Sequence, residues 1–151
     1  MSRSAPFAIV LAAAAALSGC HKQDQIAVTD AWVRLPAVPG RPAAAYFTLH
    51  GMSKDSALIN VATTVAIRTE MHESMTEHGM ARMAPIKTVP LPADATVAFA
   101  PGGKHVMLFE MNPGIKPGAT VPLTLTFTGF PRVEVDAVAV AAGAPAPFAN
   151  K

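Results

Sequence analysis

From residue 26 onward, apolar and polar positions alternate with a period near two, and clusters of glycine and proline interrupt the alternation at short, regular intervals. That rhythm is the habit of an all-β sandwich or barrel, because successive side chains of a strand face opposite sides of the sheet. The runs predict strands at residues 26–33, 44–50, 57–62, 66–73, 80–89, 96–100, 105–111, 121–127 and 133–140. Fourteen prolines and ten glycines fall mostly between them, as at Pro39-Gly40, Pro101-Gly102-Gly103, Pro113-Gly114 and Pro117-Gly118, where they mark turns. Helical stretches are hard to find, and the expectation is one sandwich of about nine short strands.

The chain start reads differently. Arg3 precedes an apolar run from Pro6 to Leu17, which has the form of a secretory signal and is too short to cross a bilayer as a helix. The run ends in Leu17-Ser18-Gly19-Cys20, which resembles a bacterial lipobox. The expected organisation is therefore a signal peptide at 1–19, a tether at 20–25 beginning with a lipidated Cys20, a β domain at 26–140 and a flexible tail at 141–151, rich in alanine and proline. His21, rather than an aspartate, follows Cys20, which points to outer-membrane placement facing the periplasm.

Committing Cys20 to lipid leaves the folded domain without cysteine. A disulfide, a thiolate zinc site and a blue-copper centre are all excluded on that basis. The charge is nearly balanced once Arg3 leaves with the signal, and signs alternate along the chain, so nucleic acid is not an expected partner. One domain of this length can bury roughly two thirds of its unfolded surface and rest on packing alone.

Against that background, four residues carry the chemistry. His72, Met83, His105 and Met107 follow the spacing H-x10-M-x21-H-x-M. Thioether sulfur is a soft donor that selects Cu(I), and imidazole suits it as well. His105 and Met107 lie two apart and share a strand face, while the turn at Pro101-Gly102-Gly103 places His105 at a strand end. The strands at 66–73 and 80–89 flank a polar stretch, 74–79, and read as a hairpin centred between Glu77 and His78, which sets His72 opposite Met83. Taken singly, a strand methionine is usually core filler; the full spacing of four reverses that reading.

Met75, His78 and Met80 fall in the expected hairpin loop and are secondary metal candidates. Met71 is expected to point opposite to His72, into the core, and His50 to end a strand. Trp32, Tyr46 and Phe47 read as core aromatics.

At these residues the chain resembles the PCu(A)C family of periplasmic copper chaperones. All spacings of the family signature match, and Ala31-Trp32-Val33-Arg34, Ala44-Ala45-Tyr46-Phe47 and Lys104-His105-Val106-Met107-Leu108 fit its surroundings. The resemblance implies a cupredoxin-like Greek-key β-sandwich that holds Cu(I) with His72, Met83, His105 and Met107 at an exposed edge. It also implies transfer to a copper-accepting oxidase subunit, such as the CuA centre of cytochrome c oxidase subunit II, or to another copper chaperone. Some members carry a second site in a His- and Met-rich C-terminal extension, but residues 141–151 contain neither residue type.

Three classes of function are thereby weighed. A copper carrier suits a donor set that is neutral and free of oxidisable thiolate. An electron-transfer cupredoxin lacks its cysteine ligand, and a Met-rich pocket holds copper mainly in the reduced state. A lipid-anchored domain for copper storage or adhesion uses the same scaffold without transfer. No nucleophile elbow, paired carboxylate motif or phosphate-cradling loop argues for an enzyme.

Overall fold

In the computed structural model, residues 25–148 are described. The signal segment, Cys20 and most of the tether lie outside the described residues. Ten strands follow in order: β1 (Ala27–Arg34), β2 (Ala43–His50), β3 (Ser56–Ala62), β4 (Ala66–Glu77), β5 (Met80–Pro85), β6 (Val89–Leu91), β7 (Thr96–Phe99), β8 (Lys104–Met111), β9 (Thr120–Phe127) and β10 (Val133–Val140). The all-β expectation holds, and no helix among the described residues is long and apolar enough to cross a membrane.

The strands join one continuous sheet in the order β5-β4-β8-β7-β2-β1-β10-β9-β3-β6, with β8 also pairing directly to β2. Neighbours distant in sequence, β4 beside β8 and the parallel pair β1 and β10, require the long connections of a Greek key. The sheet folds over on itself. Thr69 Oγ1 donates to the Val61 carbonyl, tying β4 to β3, and Met71 shares one core with Leu58 and Val61.

Alternation decides which face that core takes. Val33 of β1, Ala45 and Phe47 of β2, Met71 of β4, Val106 and Leu108 of β8, Leu123 and Leu125 of β9 and Ala137 and Ala139 of β10 all turn inward and are buried. Burial of this apolar surface is the main favourable term for a domain without disulfides. Phe47 stacks on Phe99 with ring centroids 4.5 Å apart. Met71 points into the core as expected.

Two sequence expectations need correction. The single strand at 80–89 is two strands: β5 pairs with β4, then the chain crosses over and β6 pairs with β3. Proline within β6 is tolerated because that strand is the sheet's other edge. The second correction concerns the hairpin. Strand β4 runs on to Glu77, and the loop shrinks to His78-Gly79, whose φ values of 52° and 78° are the positive pair a two-residue type I′ turn requires. The hairpin centre therefore falls between His78 and Gly79, not between Glu77 and His78.

Candidate metal site

Moving the hairpin centre changes every partner by two residues while leaving the faces intact. His72 opposes Pro85, and Met83 opposes Ser74. His72 and Met83 are thus diagonal neighbours on one face instead of a facing pair, a separation of about 7–8 Å between backbones that long side chains span. On its other side β4 pairs with β8, where His72 directly opposes His105 and Glu70 directly opposes Met107. Directly opposed residues share a face, so β4 carries His72 between a thioether strand on one flank and the His105/Met107 strand on the other. All four motif residues lie on the outer face, opposite to the Met71–Val106 pair that enters the core.

The two imidazoles are close. Their ring centroids are 6.0 Å apart with planes inclined by 28°. His105 is only 5% exposed and His72 has 13% of its side chain exposed, whereas Met83, on the terminal strand β5, is 54% exposed. Met107 is half-buried. Of the four motif residues only Met83 stands at an exposed edge; the two imidazoles sit beneath the surface.

Each ring is oriented by a hydrogen bond. His105 Nδ1 lies 3.0 Å from the Gly103 carbonyl, which can only accept, so this nitrogen carries the proton and Nε2 keeps its lone pair. The turn before β8 supplies that carbonyl: Gly102 has φ 83°, Gly103 N donates to Ala100 O, and Gly103 O also accepts from Ser74 N. His72 Nε2 lies 3.0 Å from Glu70 Oε2, while His72 Nδ1 is buried without a hydrogen-bond partner. A buried nitrogen left unpartnered costs about 1–3 kcal/mol, which a coordinated ion would offset. The hydrogen bond from His72 holds the Glu70 carboxyl below the usual carboxylate range; its partial burial opposes this and the nearby Arg68 charge reinforces it.

The three aromatics expected to be buried are so, but on two faces. Phe47 is a core residue, but Trp32 and Tyr46 are buried on the outer face, alongside the site and outside the main core cluster. Their rings are 4.4 Å apart, Tyr46 lies 6.4 Å from the His105 ring, and the Arg34 guanidinium covers Trp32 at 4.8 Å. This apolar flank shields His105 from water. Burial pushes the Tyr46 phenol up, and the Arg34 charge opposes that only in part. Arg34 also donates to the Ala144 carbonyl.

The secondary candidates go elsewhere. Met75 opposes Arg82 and Met80 opposes Glu77, so both lie on the face of the hairpin turned away from His72, and only His78 occupies the turn. Among the described residues, no three His, Cys, Asp or Glu side chains gather as a metal group. A metal on this outer face would have two nitrogens and the thioethers as donors, a soft set. Sequence reasoning missed Glu70 and the Gly103 carbonyl as orienting groups; the signal for Glu70 was its position two residues before His72, which in a strand means the same face.

Comparison with known proteins agrees with this architecture. The PCuAC domain of PmoF2, in its copper-bound form, superposes with a TM-score of 0.65 at 24% identity, over 78% of this chain and 93% of that one, a likeness of fold. DR1885 from Deinococcus radiodurans matches at a TM-score of 0.60 and 27% identity in its apo form, over 93% of this chain and 95% of that one. The form CuI-DR1885 matches at a TM-score of 0.62 and 28% identity, over 82% of this chain and 83% of that one. In sequence, "Putative lipoprotein Lxx21020" of Leifsonia xyli subsp. xyli is 30% identical over 123 residues, which is 80% of this chain and 72% of that protein. The resemblance to PCu(A)C proteins drawn from the motif is borne out by these neighbours. The family model described as "Putative lipoprotein LpqE-like" matches residues 26–140, and the chain belongs to that family.

Proposed function

We propose that the protein is a non-catalytic Cu(I) carrier, anchored outside the cytoplasm by lipid on Cys20, which holds one ion with His72, His105, Met83 and Met107. The observation that carries this reading is the directly opposed imidazole pair, with one ring fixed by the Gly103 carbonyl and the other keeping a buried, unpartnered nitrogen. Both thioethers share the face of that pair. The Cu(I)-bound form of DR1885 supports the choice of metal.

Copper is the cargo here, and the donor set suits cargo. Two neutral imidazoles and two neutral thioethers leave the ion its single positive charge and offer no thiol for oxidation outside the cytoplasm. The buried nitrogens hold the ion from below. Met83, exposed on the edge strand, is the donor that an incoming ligand displaces first. A recipient with two cysteines presents softer, anionic donors, so transfer runs downhill towards it.

The recipient that fits is a copper-accepting oxidase subunit of the CuA type, reached across the periplasm. The test is an anaerobic Cu(I) competition titration with X-ray absorption, followed by incubation with the soluble CuA domain of an oxidase. One copper per chain with nitrogen and sulfur neighbours, then its appearance on the dithiol acceptor, is the expected outcome. Copper binding that survives loss of both His72 and His105 would reject the site, and tight binding without transfer would assign the protein to storage.

A further inference from the structure

Glu70 takes no part in the proposed donor set, yet two side chains anchor it on the outer face. Its carboxylate meets His72 Nε2 at 3.0 Å and forms an ion pair with Arg68. Arg68 in turn lies over the Phe109 ring at 3.8 Å. Across β4 and β8 these groups make three successive facing pairs: Arg68 with Phe109, Glu70 with Met107 and His72 with His105. The carboxylate is thus restrained from both sides.

We propose that Glu70 is a positioning residue that locks His72 in the tautomer with its proton on Nε2, so that His72 offers Nδ1 to the metal while His105 offers Nε2. The inference rests on the copper reading of this face and specifies how its nitrogens are used. A carboxylate accepts and never donates, so the Nε2 of a neutral His72 must be the donor and Nδ1 must keep the lone pair. That same Nδ1 is the nitrogen left buried and unpartnered. At His105 the assignment is reversed, because its Nδ1 proton is committed to the Gly103 carbonyl. Metal-ligating histidines usually tie their second nitrogen to a carboxylate or a carbonyl, and here one ring uses each.

Histidine-15N labelling of the full-length chain tests this through long-range proton–nitrogen correlations, recorded metal-free and after one equivalent of Cu(I) without oxygen. The metal-free spectrum is expected to show His72 protonated at Nε2 and His105 at Nδ1. Copper is then expected to shift His72 Nδ1 and His105 Nε2. Glu70→Gln, whose amide oxygen still accepts, keeps the tautomer and the affinity. Glu70→Leu mixes the two His72 tautomers and weakens Cu(I) binding by about 10- to 100-fold. Coordination through His72 Nε2, or a leucine variant with unchanged tautomer and affinity, would overturn the proposal. If copper shifted neither ring, the copper reading itself would fall, and the metal-free spectrum would still decide the tautomer.

Discussion

His72 and His105 face each other directly across β4 and β8, with ring centroids 6.0 Å apart. They are 33 positions apart in sequence, so their meeting is set by the sheet. The proposed site is thus as stable as the β4–β8 pairing, while its two methionines differ in burial. That difference separates binding from folding. Met83 is mostly exposed, so Met83→Ala is expected to weaken Cu(I) binding by at least about tenfold, on the order of 1.4 kcal/mol, with almost no change in Tm. Met107 is half-buried, and Met107→Ala is expected to lower both. Competition titration beside thermal denaturation reads the two effects, and equal loss of Tm with unchanged affinity in both variants would make the methionines packing residues.

How far the chain announced this arrangement depends on whether burial marks one face. In β9, inward Val121, Leu123, Leu125 and Phe127 alternate with more exposed residues, so strand and face are both readable. In the hairpin, residues 73–77 project with solvent access on both faces and carry no apolar alternation. The strand there looked like loop, the centre slipped by one position, and His72 was paired with Met83 instead of with Pro85. Because the slip changes each partner by two, the faces survive and the four motif residues keep a common side. The burial of Trp32 and Tyr46 is legible in their residue types, but not the face they take, because alternation separates two faces without saying that the outer one is also covered.

Protons compete with the metal for imidazole nitrogen. Cu(I) affinity is expected to fall between about pH 7.5 and about pH 5, the range in which free imidazole takes up its proton. Competition titrations across that interval check it, and a flat profile would remove histidine from the donor set. In the metal-free protein Glu70 acts with the opposite sign to a raised group. Its carboxyl is held low in the folded state by His72, so the stability it contributes is present above the ordinary carboxylate range and is lost as pH falls through the folded value. Carbon NMR of the Glu70 carboxyl should place its titration below the ordinary carboxylate range.

Oxidation separates sulfur from nitrogen. Converting a thioether to a sulfoxide replaces a soft donor by a polar oxygen group, and mass spectrometry can confirm the change at Met83, the more exposed of the two. Tight Cu(I) binding is expected to disappear with that modification and to return after treatment with a sulfoxide reductase. Met71, buried in the core, should resist under native conditions.

The core can be weakened without touching the site. Phe47 turns inward from β2 and stacks on Phe99, on the face away from His105. Phe47→Ala is expected to cost about 3–5 kcal/mol through lost burial and the cavity left behind. Below its lowered Tm the variant should still bind one Cu(I), because the donors stand on the other side of the sheet. Denaturant titration with and without copper measures both quantities.

His78 provides the sharpest test of the hairpin. It occupies the first turn position at φ 52°, a conformation that costs a β-carbon residue about 1–2 kcal/mol and that glycine adopts freely. His78→Gly relieves that strain but enlarges the entropy of the unfolded chain, so the two effects nearly cancel and stability should stay within about 1 kcal/mol. Since the turn fixes the register that puts Met83 beside Ser74, and glycine suits the turn at least as well, Cu(I) affinity is expected to be unchanged. A fall of tenfold or more with the hairpin intact by NMR would make His78 a donor and move the copper towards the tip of the ribbon. Gly79→Ala gives the complementary result. At φ 78° the added methyl strains the turn, and affinity should drop together with hairpin order, through displacement of Met83 rather than loss of a donor.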